Sequence, residues 1–195
     1  MSASADAADG SSILVRLRGI GVIPDEDSSV SVIGGSVDAE NVAVPELDIS
    51  YFFTPNIALE LILAVSPHDM QVEGSALGTV DLGEVTLLPP TLTLQYHFLP
   101  DSQFRPYVGA GINYTFFLDE SAPRGVVQSI DYENGFGYAF QAGMDYALTE
   151  TIVLNLDLKK VFLNTDVAIN GGAINADVDL DPWIVGAGVG YRFNL

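Results

Sequence analysis

The chain has no cysteine among its 195 residues. Neither a disulfide framework nor a thiolate metal site is therefore open to it. A soluble secreted barrel of this size would often carry a disulfide, so the absence favours a membrane barrel held by its closed ladder. Basic residues are scarce too: 7 Lys and Arg stand against 26 Asp and Glu, for a formal net charge of −19. Neutralising phosphates needs clustered Lys and Arg, so nucleic acid is excluded as a partner. Hydrophobic residues make up 48% and mean hydropathy is +0.30, which excludes disorder. Yet no apolar run approaches the ~18–20 residues of a spanning helix. The start, MSASADAADGSS, lacks the positive segment and apolar core of a signal peptide. Met1 is expected to head a mature sequence from which a signal has already been removed.

What the chain does have is period-two alternation. In Leu88–Phe117, Thr91, Thr93, Gln95 and His97 alternate with Leu92, Leu94, Tyr96 and Phe98. After a short polar link, Tyr107, Gly109, Gly111, Asn113 and Thr115 alternate with Val108, Ala110, Ile112, Tyr114 and Phe116. Successive strand side chains point to opposite faces, so each run shows one apolar wall and one small or polar wall. Aromatics gather near the strand ends. That pattern belongs to strands crossing a membrane in a barrel.

Taken in order, the chain gives eight such strands. Residues 1–11 read as a flexible periplasmic tail, and 12–195 as a single eight-stranded outer-membrane β-barrel. Strand one, Ile13–Ile23, puts Arg16 and Arg18 on one face; each would cost roughly 2–4 kcal/mol against lipid, so both should point inward. Pro24–Pro45 is too polar to span and reads as a long loop. Strand two, Glu46–Phe53, and strand three, Ile57–Val65, follow, with Glu46, Asp48, Glu60 and Ile62 facing in. Ser66–Pro90 is a second long segment, and the opening pair supplies strands four and five. Leu118–Glu133 is a third, before strand six at Asn134–Leu148. Strand seven turns Asn155, Asp157 and Lys159 inward and leaves Lys160 and Phe162 at its outer rim. Asn164–Asp181 is a fourth loop, and strand eight is Pro182–Leu195 with Arg192 inside. Short turns alternate with long loops, as periplasmic turns alternate with extracellular loops in antiparallel outer-membrane barrels. Closure removes every edge strand, the one sheet solution hydrocarbon permits. Periodicity alone leaves open which wall is inside, since a lipocalin-like barrel would turn the apolar wall inward. Rim aromatics and a lumen wall of Gly, Ala and charges favour the membrane reading.

Chemistry-bearing residues are few. The histidines are His68 and His97. His97 shares its face with Gln95 and Thr93 but with no serine, so it reads as a hydrogen-bonded lumen residue rather than a catalytic base. His68 with Asp69 is too little for a metal site, and Gly109-Ala110-Gly111 lies within a strand with no helix after it, unlike a phosphate loop. No enzymatic activity, cofactor or metal is expected. The inward charges Arg16, Arg18, Glu60, Asp145, Asp157 and Arg192, with Asp48 and Lys159, read as a lumen ion-pair set. Eight strands leave barely enough room for their own side chains, so a wide water pore is excluded. The loops carry most of the acid, a solvated surface rather than a calcium site. They also hold Val42, Val44, Met70, Val72, Leu77, Leu82, Val85, Leu87 and Leu88, enough for an apolar vestibule.

The stretches LPPTLTLQYHF (Leu88–Phe98), FRPYVGAGINYTFF (Phe104–Phe117) and DPWIVGAGVGYRF (Asp181–Phe193) closely resemble the OmpW family of Gram-negative outer-membrane proteins. The resemblance implies an integral outer-membrane barrel with a hydrophobic channel, passing small hydrophobic molecules sideways into the bilayer. It also implies a lumen constriction. The family's aliphatic residue falls on Ile62, whereas its aromatic one falls near Lys159, a departure from the pattern. Passive uptake of small hydrophobic molecules is the leading expectation, and a surface-interaction barrel for adhesion, phage or cation binding the alternative. Expected partners are outer-membrane lipids and lipopolysaccharide, small hydrophobic ligands and the barrel-assembly machinery, with the protein a monomer.

Overall fold

The computed structural model describes residues 11–23, 27–30, 36–39, 41–75, 78–121, 130–132, 135–169, 174–179 and 181–195. They form strands β1 (Ser12–Ile23), β2 (Asp27–Val30), β3 (Ser36–Ala39), β4 (Val42–Phe52), β5 (Ile57–Ala64), β6 (Ser66–Ser75) and β7 (Gly78–Leu88). There follow β8 (Thr91–His97), β9 (Phe104–Ser121), β10 (Ile130–Tyr132), β11 (Gly135–Ala147), β12 (Ile152–Ile169), β13 (Ile174–Asp179) and β14 (Trp183–Asn194).

Eight of these close a ring of antiparallel pairs in the order β1, β4, β5, β8, β9, β11, β12, β14 and back to β1. The last seam runs from Ser12 opposite Asn194 to Ile23 opposite Trp183. With the seam closed, each spanning strand has a neighbour on both sides, which the membrane interior requires.

Alternation sets the two walls. On β8, Thr91, Thr93, Gln95 and His97 are buried while Leu92, Leu94 and Tyr96 are exposed. The same holds on β12, where Val153, Asn155, Asp157 and Lys159 are buried and Ile152, Leu154, Leu156 and Leu158 exposed. The apolar wall therefore faces out, and the lipocalin-like alternative is excluded. Aromatic pairs, along one strand or across two, mark both edges of the outer belt. Tyr51–Phe53, Tyr96–Phe98 and Tyr191–Phe193 lie at the turn end, with ring centroids 4.7–5.0 Å apart. Tyr114–Phe116 and Tyr138–Phe162 lie at the other end, both 4.9 Å apart. Rings that are apolar in body and polar at the tip suit the two membrane interfaces.

The four long segments differ from the expected loops. β12 and β9 each run 18 residues, about 60 Å at strand rise, when 9–11 residues cross the hydrocarbon. They continue beyond the belt and carry extra strands with them. β6 and β7 form a hairpin whose β7 edge lies on β9, and β3 adds to β6. β13 pairs with β12 and β2, and β10 with β12. Strand two also starts earlier than expected, at Val42, and contains Pro45 opposite Gly19. A proline is tolerated there because the pairing of β4 with β5 reaches only Glu46 opposite Ala64, so β4 has one partner at that level.

Candidate functional site

The lumen is layered along the barrel axis. Nearest the short turns is an apolar floor of Leu14, Phe52, Ala58, Ala147 and Val153. Two rings flank it: His97 stacks on Tyr107 at 4.8 Å and tilts against Phe52 at 4.8 Å. His97 Nε2 is 3.0 Å from Gln95 Oε1, so the histidine is a hydrogen-bonded wall residue. Its side-chain partner is Gln95 and not a serine, although Ser11 and Ser12 line the same cavity as the ring.

Above the floor lies a charged plug. Arg16 donates in a fork to both carboxylate oxygens of Asp145, from Nε at 3.1 Å and Nη2 at 2.7 Å. Its Nη1 reaches Ser50 Oγ at 2.7 Å and Glu60 Oε1 at 3.1 Å. Arg18 sits one layer on, hydrogen-bonded to Asp48 and to Glu60 Oε1 at 3.1 Å. It also pairs with Asp157 at 3.0 Å and Glu46 at 3.4 Å. Lys159 closes the outer side, 2.5 Å from Glu46 Oε1 and 3.5 Å from Asp157 Oδ1. Neutral donors reach Glu60 and Asp157, whereas Asp48 Oδ1 is buried without a hydrogen-bond partner. Gln95 and Gln141 donate to Glu60 Oε2 at 2.7 and 3.0 Å. Tyr107 and Gln141 donate to Asp157 Oδ2 at 2.5 and 2.8 Å. Both arginines are 0–1% exposed. Burying so many charges is tolerable only because nearly every one is paired and hydrogen-bonded.

Toward the outside the lumen turns apolar again. Ile20, Val22 and Val44 pack with Val42, Ala64 and Ile184, while Ala139, Val161 and Leu163 meet the same Ile184. One side of this roof stays polar: Thr115 donates to Asn113 Oδ1, and Asn113 Nδ2 to Thr91 Oγ1, each at 2.8 Å. Next to it the wall is interrupted. β5 and β8 pair as far as Ile62 opposite Thr91, and β6 and β7 resume in the same register at Ser66 opposite Leu87. Between them Leu63–Val65 face Leu88–Pro90 with no ladder. Pro89 and Pro90 have no N–H to give, and their carbonyls turn to the other side, accepting from Asn113 Nδ2 at 3.3 Å and Tyr114 N at 3.1 Å.

A model of the OmpW family matches residues 9–193. The chain belongs to the OmpW family. The uncharacterized outer-membrane protein y4mB of Sinorhizobium fredii is 44% identical over 183 residues, covering 92% of this chain and 79% of that one. The crystal structure of OprG from Pseudomonas aeruginosa superposes with a TM-score of 0.88 at 30% identity, covering 96% of this chain and 98% of that one. The solid-state NMR structure of AlkL in lipid bilayers gives 0.73 at 29% identity, covering 100% and 95%. This OmpW-family chain is thus an integral outer-membrane barrel, with short turns in the periplasm and extensions outside. Its family is generally non-enzymatic.

The expected site residues fall unevenly on this OmpW-family lumen. Arg16, Arg18, Glu60, Asp145 and Asp157 meet in the plug. Ile62 is buried between Asp48 and Thr91 in register, at the plug's outer face. Lys159 occupies its inward position as an ion pair, so the plug there is charged rather than aromatic. Arg192 does not join the set. It points inward but one turn of the ladder from the periplasmic rim, where it donates to Ser12 Oγ at 2.9 Å and lies 4.2 Å from the Phe52 ring. Parity gives the side of the wall, not the height, and at that height no carboxylate pairs with it among the described residues. Glu46, Gln95, Tyr107, Gln141 and Asn155 were absent from the expected ion-pair set, although their parity already placed them inside. Lys160 does reach outward, donating to the Asp181 carbonyl at 2.6 Å and lying 5.0 Å from the Trp183 ring. The side chains of His68, Asp69 and the vestibule residues Met70, Val72, Leu77, Leu82 and Val85 lie outside the described residues.

Proposed function

We propose that this barrel admits small hydrophobic molecules from outside and releases them sideways into the outer membrane, without cofactor or energy coupling. The observation that carries the reading is the pairing of a sealed axis with an interrupted ladder in the wall. The plug blocks straight passage to the periplasm, while the apolar roof ends beside the unpaired Leu63–Val65 and Leu88–Pro90 edges. A ligand reaching the roof meets Ile20, Val22, Val44, Ile62 and Ile184 below and beside it, and hydrocarbon beyond the gap. Burial of its surface, at about 25 cal/mol per Å2, supplies the drive in both steps. Lipopolysaccharide and lipid surround the barrel, and the protein acts as a single copy assembled by the barrel-insertion machinery.

The test compares uptake of a fatty ester by cells with the barrel, without it, and with Pro89→Val/Pro90→Val. Restoring a backbone donor toward Leu63–Val65 is expected to lower uptake several-fold while leaving the heat-modifiable folded band on gels. Equal uptake in all three strains would overturn the reading and favour a surface-interaction barrel.

A further inference from the structure

The periplasmic mouth holds a cavity of about 240 Å3, on the far side of the plug from the apolar roof. Its walls include Phe52, His97, Pro55 and Pro100, together with Arg105 and Arg192. These are two of only seven basic residues in a chain of net charge −19, and neither pairs with a carboxylate among the described residues. Both are nonetheless held in place by neutral groups. Arg105 Nε donates to the Ser102 carbonyl at 2.7 Å. Arg192 donates to Ser12 Oγ and rests its guanidinium on Phe52, leaving its buried Nε without any acceptor. Asp101 also lines the cavity but is exposed and pairs with neither arginine.

We propose that this mouth is a binding site for a small anion, carboxylate or phosphate, held between Arg105 and Arg192 over the Phe52 and His97 rings. Two fixed cations at a partly desolvated mouth repel each other, and an anion between them removes that cost while satisfying the Arg192 Nε–H. The volume, many times what a single water needs, is enough for a phosphate or for a carboxylate with a short apolar body lying on the rings. The anion comes either from solution or from the phosphate of an inner-leaflet lipid. Because the plug separates the mouth from the roof, the site is independent of the hydrophobic route.

The full chain in phosphatidylcholine nanodiscs, with labelled arginine, would be titrated with inorganic phosphate and with benzoate while the arginine Nε–H signals are followed by NMR. A second arm replaces part of the lipid by phosphatidylglycerol. Saturable shifts of Arg105 and Arg192, but not of Arg16 and Arg18, are expected, weakening as ionic strength rises. Shifts with the free anions identify a soluble ligand; shifts only with phosphatidylglycerol identify a lipid one; either supports the site. Arg105→Gln, at the edge of the barrel, is expected to weaken binding at least about tenfold, with Arg192→Gln as the companion variant. No shift in either arm, or an Arg105→Gln variant that binds as tightly as the parent, would overturn the proposal.

Discussion

At the scale of single residues, the plug is a small set of cations shared among more carboxylates. Arg16, Arg18 and Lys159 serve Glu46, Asp48, Glu60, Asp145 and Asp157. Arg18 alone touches four of those acids. Removing it strands several buried charges at once, which is the costly way to break a buried pair. Arg18→Met is therefore expected to destabilise the barrel by about 3–5 kcal/mol, read from urea unfolding in lipid vesicles. Arg18→Lys should recover only part of this, because an ammonium cannot fork between carboxylates. A loss below about 1 kcal/mol for Arg18→Met, the size of an exposed pair, would mean that water reaches the network. These partners were half legible in the sequence. Parity placed Arg18, Asp48 and Glu60 on one wall, but which charges meet depends on stagger between strands, which no single strand records. Arg192 shows the consequence, since it shares the wall and misses the cluster.

At the scale of elements, strands approach each other as closely as their small residues allow. A Cβ on Gly188 of β14 would lie 2.1 Å from the Leu17 carbonyl oxygen of β1, whereas one on Gly19 of β1 would meet nothing within 4 Å. The two glycines lie one register step apart across the same seam, Gly188 opposite Arg18 and Gly19 opposite Ala187, one turned in and one turned out. Gly188→Ala is expected to open or shift the seam and to lower the unfolding midpoint. Gly19→Ala should be neutral or slightly stabilising, since it adds apolar surface on the lipid side and lowers unfolded-chain entropy. Side-by-side unfolding curves of the two variants check both signs. The strand extensions were the least legible elements. Outside the hydrocarbon neither face of a strand must be apolar, so β6, β7 and β13 lack the alternation that marks spanning strands.

At the scale of the whole molecule, the barrel is an inside-out protein: charges in its axis, aliphatic and aromatic side chains in its solvent. The one tryptophan, Trp183, is 41% exposed on the outer face beside Lys160 at the extracellular rim. In vesicles its fluorescence is expected to be quenched strongly by brominated acyl chains and weakly by acrylamide. The reverse result would place the apolar wall inside. The plug closes the axis, and the ladder is interrupted between Leu63–Val65 and Leu88–Pro90 at the level of the apolar roof.

The sequence by itself determined the number of spanning strands, the inward and outward set of each, and the alternation of short turns with long segments. The reason is that a membrane imposes a period of two and a fixed crossing length on every strand separately. Only the tertiary structure decided how high each inward residue sits, and so that Lys159 seals the plug through Glu46 while Arg192 waits at the mouth. It also decided where the ladder breaks, because a ladder gap is a relation between two strands. Pro89 and Pro90 announce that no hydrogen bond can be given; only the register of Leu63–Val65 opposite them shows where the ladder is interrupted.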